Sequence, residues 1–365
     1  MAEPGKQPND VPLRRGWTTG ACATAAVRAA YSALLTGRFP DPVTIELPGG
    51  QRPAFALARE LLTDGTAIAG IVKDAGDDPD VTHCALITAT VSRGKPGSGV
   101  VFLAGEGVGT VTRPGLPVAV GEAAINPVPR RMMADNVAEL AASHDDAGDV
   151  EIDISIPGGE EMARHTMNSR LGIEGGLSIL GTTGIVVPFS CASWIASIHQ
   201  GIDVARAEGR DHLAAATGST SEKAVQAMFA LPDVALIDMG DFAGGLLKYL
   251  RDHPVPLLTI AGGFAKITKL GQGHMDLHSG RSRVDTSWLA EAAGDAGADA
   301  ALVQAIKATD TAALALQAAQ AVDMALQDRV ALLARETAQG VLDNDTRVDV
   351  LIFDRSGSLI GRADG

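Results

Sequence analysis

Leu213-Ala214-Ala215-Ala216-Thr217-Gly218-Ser219-Thr220, running on into a helix-prone stretch at 222–229, is a short apolar strand, a glycine turn and a helix in series. The pattern returns twice. Val234-Ala235-Leu236-Ile237 leads through Asp238-Met239-Gly240 into a second helical run at 242–250. Leu257-Leu258-Thr259-Ile260 leads through Ala261-Gly262-Gly263 into a further helical turn. Strand, glycine-rich turn and helix in alternation predict βαβ units and a mostly parallel sheet. In such sheets ligands bind outside the carboxyl ends of the strands, where these three turns gather. Beyond them, 290–341 is rich in Ala and Leu and predicts helices, and 348–353 predicts a closing strand. Just before them, 177–180 predicts a short apolar strand entering Gly181-Thr182-Thr183-Gly184, and 188–200 predicts a helix.

The N-terminal half has a different texture. Thr18, Thr19 and Gly20 precede an Ala-rich run, 21–31, of high helix propensity, with threonines placed to cap it and Gly37 and Pro40 to end it. Residues 43–47 alternate as a strand does and meet the turn Pro48-Gly49-Gly50. Strand-like runs follow at 67–72, 83–91, 100–103 and 150–156, and Met132, Met133, Val137 and Leu140 mark a helix over 129–143. Strands, helices and hairpins mixed in this way predict an α+β domain. A boundary near residue 170 divides the chain into 1–170 and 171–365.

At 365 residues the chain is long enough for two domains with real cores. Its net charge of −14 argues against general nucleic-acid binding, while leaving room for an anionic small ligand held by a local Arg/Lys cluster. Cys22, Cys84 and Cys191 are widely spaced, with no C-x-x-C among them, which predicts a reducing compartment and neither a disulfide frame nor a zinc site. The first residues lack an apolar signal-peptide core, and no 18-residue apolar run occurs, so a cytoplasmic protein without a membrane span is expected.

Lys73-Asp74-Ala75-Gly76-Asp77-Asp78-Pro79-Asp80 sets four carboxylates in eight positions behind the apolar run 67–72. Acids this close tend to raise one another's pKa, so such a loop sits in water, grips a cation or cationic ligand, or holds a proton for chemistry. The spacing fails the EF-hand pattern, since Gly76 comes too early and no Glu follows at the twelfth position, which leaves a ligand loop favoured over a solvated turn. Gly105-Glu106-Gly107-Val108-Gly109 could bring backbone N–H groups to an anion, but it lacks the following helix of a dinucleotide fingerprint, and alone it reads better as a glycine hairpin. The stretch 234–244 has the look of a strand followed by a nucleoside-binding turn, and a plain sheet-end turn explains it equally well. His274 and His278 stand four apart among glycines with no third ligand, so zinc is disfavoured; one of them as general base or hydrogen-bond donor competes with a structural role. Arg14-Arg15, Arg113, Arg130-Arg131, Arg170, Lys266, Lys269, Arg281 and Arg283 flank these segments and suit an anionic ligand.

Taken in order, the blocks 15–23, 73–82, 105–115, 121–130, 166–173, 175–188 and 262–279 resemble the cobalt-precorrin-5B methyltransferase family of anaerobic cobalamin biosynthesis. Two departures stand out. Thr217-Gly218-Ser219-Thr220 replaces the family's Asn-rich glycine turn, and Gly262-Gly263-Phe264-Ala265-Lys266 replaces its Gly-His-Pro-Gly-Lys. The resemblance implies an α+β N-terminal domain joined to a Rossmann-like α/β domain. It implies transfer of a methyl group from S-adenosyl-L-methionine to carbon 1 of cobalt-precorrin-5B, giving cobalt-precorrin-6A. The cobalt arrives inside the tetrapyrrole substrate, so no protein metal site is required.

On charge, the cationic, hydroxyl-rich donor suits carboxylates and glycine turns, and the polycarboxylate macrocycle suits basic clamps. The donor is therefore expected at Asp74, Gly105, Gly107, Gly109, Thr182, Thr183, Gly218, Asp238 and Gly240. The macrocycle is expected at Arg15, Thr18, Thr19, Lys73, Arg113, Arg130, Lys266 and Lys269, with His278, Asp77 and Asp78 as the catalytic, proton-handling groups. A homo-oligomer and hand-off to neighbouring pathway enzymes are further expectations, with no nucleic-acid or membrane partner. Two competitors are a kinase-like transferase, disfavoured because Gly-x-x-x-x-Gly-Lys-Ser/Thr is missing, and a non-catalytic escort of corrinoid intermediates.

Overall fold

A computed structural model describes residues 12–365; the N-terminal segment read above for a signal peptide lies outside the described residues. The chain is a mixed α/β protein of two compact units, Met1–Cys191 and Ala192–Gly365.

The first unit is built on a five-stranded sheet of β1 (Arg59–Thr63), β2 (Thr66–Val72), β3 (Leu86–Arg93), β4 (Val100–Ala104) and β5 (Val150–Ser155), in the order β1-β2-β3-β5-β4. All neighbours are antiparallel except β4 and β5. Helix α1 (Thr19–Thr36) packs on β2 and β3 and against α2 (Pro127–Ser143). The Thr18 hydroxyl accepts the Ala21 N–H at 3.2 Å to start α1, and Gly37 ends it at φ 76°. The alanines are what let α1 lie so close: Ala25, Ala26, Ala29 and Ala30 are fully buried against the sheet and α2. The strand expected at 43–47 shortens to Val43–Thr44, which pairs with Ala54–Phe55, and Ile45 and Leu47 continue only as turn hydrogen bonds. The strand expected at 177–180 is reduced to single bridges, Leu177 to Val108 and Ile179 to Ile125. This unit continues past residue 170 because Ile173–Glu174 pairs with Thr110–Val111 and Ile185–Val186 with Gly16–Trp17.

The second unit holds α3 (Cys191–Ala207) followed by β6 (His212–Ala216), α4 (Ser219–Phe229), β7 (Leu236–Asp238), α5 (Ala243–Asp252), β8 (Leu257–Gly263) and α6 (Phe264–Gly271). Four further helices follow, α7 (Thr286–Asp295), α8 (Ala300–Lys307), α9 (Ala312–Gln320) and α10 (Leu326–Leu342), and the chain closes with β9 (Arg347–Phe353) and β10 (Leu359–Ala363). The sheet order is β7-β6-β8-β9-β10, parallel except for β10. Both sides of the central strands are apolar and buried, as a parallel sheet covered on two faces demands: Ala214 and Ala216 on one side of β6, Leu213 and Ala215 on the other. The chain steps from β6 outward to β7, then back across β6 to β8. Right-handed crossovers therefore put α4 on one face and α5 and α6 on the other, where α10 packs against both. The reversal falls between β6 and β8.

Candidate active site

The carboxyl ends of β6, β7 and β8 carry Thr217-Gly218, Asp238-Met239-Gly240-Asp241 and Gly262-Gly263. Ala216 lies opposite both Asp238 and Ala261, and the Thr217 N–H donates to the Ala261 carbonyl at 2.9 Å, so the three turns stand side by side. The crevice of an open α/β sheet opens where strand order reverses, which here is between Thr217-Gly218 and Gly262-Gly263. Lys266 Nζ sits at its rim, 2.6 Å from Asp241 Oδ1 and 3.4 Å from the Thr217 carbonyl oxygen. Gly240 adopts φ 54°, and the indole of Trp194, which donates to the Asp238 carbonyl at 3.1 Å, covers it. Of the expected residues, Gly218, Asp238, Gly240 and Lys266 are thus brought together. Lys269 is not available to a ligand: it is buried, its Nζ donates to the Leu277 carbonyl at 2.8 Å, and burial pulls its pKa down. His278 is exposed in the following loop, where its Nδ1 accepts the Gly280 N–H at 3.1 Å.

The acidic loop belongs to the first unit, and each of its carboxylates has its own partner. Asp74 is held by the Arg14 guanidinium and the Gly76 N–H, and Asp77 accepts the Arg14 backbone N–H at 2.6 Å. Asp78 accepts the Phe189 N–H at 2.8 Å. Asp80 takes the Lys73 ammonium at 2.6 Å together with the N–H and hydroxyl of Thr82 at 2.8 and 2.6 Å. For Asp74 and Asp80 the shift runs opposite to the elevation expected from crowding. The Arg14 hydrogen bond and the Gly76 N–H bring Asp74 down to about 2. Burial pushes Asp80 up, but the hydrogen bonds from Lys73 and Thr82 together outweigh it and hold the group below the ordinary carboxylate range. Lys73, expected on the substrate, is 1% exposed and closes on Asp80. The neighbouring Cys22 thiol is fully buried and pushed up to about 12 by burial, so it is no nucleophile at neutral pH.

The glycine triplet is a packing device. A Cβ at Gly105 would lie 2.1 Å from Asp153 Oδ1, and one at Gly107, where φ is 73°, would lie 2.0 Å from the Ile156 carbonyl oxygen. The Gly105, Val108 and Gly109 N–H groups already donate to Ile154, Gly105 and Leu177. Thr18 and Thr19 are buried: the first caps α1, and the second exchanges hydrogen bonds with the Leu180 backbone at 2.9 and 3.3 Å. Arg130 donates to the Ile125 and Ala123 carbonyls at 2.8 and 2.9 Å, pairs with Glu122 at 2.9 Å and stacks over Phe102. Arg15, Thr182 and Thr183 are exposed, and the Arg113 side chain packs on Gly172. Sequence reasoning did not single out Asp241 beside the crevice, and it read Arg14 as a residue for an anionic ligand, whereas its guanidinium closes on Asp74 of the acidic loop. The sequence places Thr217 directly after a strand and before a glycine turn, without a role for Thr217 itself.

A family model described as CbiD matches residues 6–188, and one described as CbiD, C-terminal domain, matches residues 276–364. A cobalt-precorrin-5B C(1)-methyltransferase of Bradyrhizobium sp. (strain BTAi1) is 60% identical over 359 residues, covering 98% of this chain and 96% of that protein. The protein of the same name in Paramagnetospirillum magneticum is 61% identical over 352 residues, covering 96% and 98%. The one in Brucella anthropi is 58% identical over 362 residues, covering 99% and 98%. The crystal structure of a cobalamin biosynthesis protein (cbiD) from Archaeoglobus fulgidus shares 28% identity, covers 74% of this chain and 83% of that one, and superposes with a TM-score of 0.40.

Proposed function

This chain belongs to the CbiD family, and from that premise we propose the reaction it carries out and the residues that serve it. It is a C-methyltransferase of cobalamin biosynthesis that acts on carbon 1 of cobalt-precorrin-5B. The observation that carries this is identity of about 60% along nearly the whole length of relatives so named.

The methyl donor in this proposal is S-adenosyl-L-methionine, which supplies a methyl group already activated on a sulfonium sulfur. The second unit, as a Rossmann-like domain, has residues that fit it. Asp238 ends the strand beside β6, where dinucleotide folds present a carboxylate to ribose hydroxyls, Gly218 faces open space and leaves its turn low enough for a ligand to approach, and Gly240 forms the adjoining turn beneath the Trp194 indole. Methyl transfer is an in-line displacement, so the protein's task is to align donor and acceptor carbon and exclude water. Arg15 and Arg113 are proposed to meet substrate carboxylates, and His278 to handle the proton. Asp77 and Asp78, each accepting a backbone N–H, hold the acidic loop in shape. A cytoplasmic location, self-association and hand-off to neighbouring pathway enzymes complete the proposal.

Incubating the purified protein with S-adenosyl-L-methionine and cobalt-precorrin-5B is expected to give a product heavier by one methyl group in mass spectrometry. Binding of both compounds with no change in mass would leave an escort protein instead.

A further inference from the structure

Two helices of the second unit start at the same place, and neither is capped. α4 begins behind Gly218 and α6 behind Gly263, and neither N-cap residue makes a side-chain hydrogen bond to its helix. The first N–H groups of a helix have no partner inside it, and they carry the positive end of the helix dipole. β6 and β8, the strands that feed α4 and α6, are neighbours in the sheet, so both helix starts face the crevice at the strand-order reversal. A Cβ on Gly218 or on Gly263 would meet nothing within 4 Å, so the space in front of each start is open.

A polar side chain points the same way. Thr217 is 9% exposed, and among the described residues its hydroxyl makes no hydrogen bond within the chain. Its Oγ1 lies 2.8 Å from where a Cβ on Gly262 would stand, directly across the crevice. The residue is nine-tenths buried, yet its hydroxyl oxygen is not among the sealed, unpartnered polar atoms, so it stays within reach of a ligand oxygen entering the crevice. Lys266 Nζ completes the rim, 3.4 Å from the Thr217 carbonyl oxygen, with Asp241 holding it there.

We propose that this crevice is a carboxylate-binding site, formed by the first-turn N–H groups of α4 and α6, the Thr217 hydroxyl and the Lys266 ammonium. Every group named is a donor or a positive charge, and two oxygens on one planar group match two helix starts. The inference rests on the methyl-transfer function, in which two compounds present a carboxylate: the methionyl part of the donor and the acetate and propionate arms of the macrocycle.

Gly218→Asp and Gly263→Asp test it. Both positions have extended backbone with open space, and Asp is a favoured N-cap, so each variant fills the site with its own carboxylate while keeping its helix. Melting temperatures are expected to stay level or rise. In calorimetry, S-adenosylhomocysteine is expected to bind the variants about tenfold or more weakly, while 5′-methylthioadenosine, which has no carboxylate, binds them as it binds the wild type. Weaker binding of cobyrinic acid with unchanged S-adenosylhomocysteine would assign the same site to the macrocycle's carboxylates. If both variants bind both carboxylates as tightly as wild type, the site is overturned. If the wild-type chain binds neither compound, the methyl-transfer function fails and this site fails with it.

Discussion

Lys73 is the residue whose role the fold changes most. A lysine beside four acids reads as a ligand clamp, yet its ammonium lies buried on Asp80. Removing one member of such a pair strands the other's charge in a poorly solvated place. Lys73→Met is therefore expected to cost about 3 kcal/mol in urea unfolding, and adding Asp80→Asn is expected to return part of that loss. Asp74 makes a prediction about pH. Its folded pKa, about 2, lies below its unfolded value, so its contribution to stability is full above the ordinary carboxylate range and vanishes as pH falls through about 2. Asp74→Asn should consequently be less stable than wild type at neutral pH, with the two converging near pH 2 in acid-unfolding curves followed by circular dichroism. Equal stability across that range would mean that Arg14 contributes nothing through this carboxylate.

At the scale of elements, glycine separates packing from function. Gly107 combines a positive φ with a backbone approach that leaves no room for a methyl group. Gly107→Ala is expected to destabilise the first unit by about 3 kcal/mol or more, measured by chemical unfolding. Gly218 and Gly263, which face open space, should accept a side chain without such a loss. In sequence the triplet at 105–109 and the turns at 218 and 262–263 look alike. What differs is what stands opposite them, and for Gly107 that is Ile156, far along the chain. Helix α1 was legible because alanine propensity, the Thr18 cap and the Gly37 terminus are all local. Its tight fit on the sheet is also testable: Ala29→Leu, at a site with no exposed surface, is expected to cost about 1–3 kcal/mol in thermal or urea unfolding.

For the whole molecule, the net charge of −14 opposes an anionic macrocycle at long range, whatever basic groups receive it at contact. Added salt screens that repulsion, so the association rate of a polycarboxylate corrinoid in stopped flow is expected to rise from low to physiological ionic strength. A falling rate would indicate a basic field strong enough to steer the ligand in. The βαβ alternation of 213–263, its glycine turns and the family-like blocks were all determined by sequence, because strand period, helix propensity and turn chemistry act over a few residues. Tertiary structure alone decided which polar groups are free to work. Asp78 meets Phe189 across 111 positions, and Thr19 meets Leu180 across 161. Partners so distant in the chain leave no local pattern, yet they turn an apparent ligand loop into a braced one and leave Thr217 and two uncapped helices facing an open crevice.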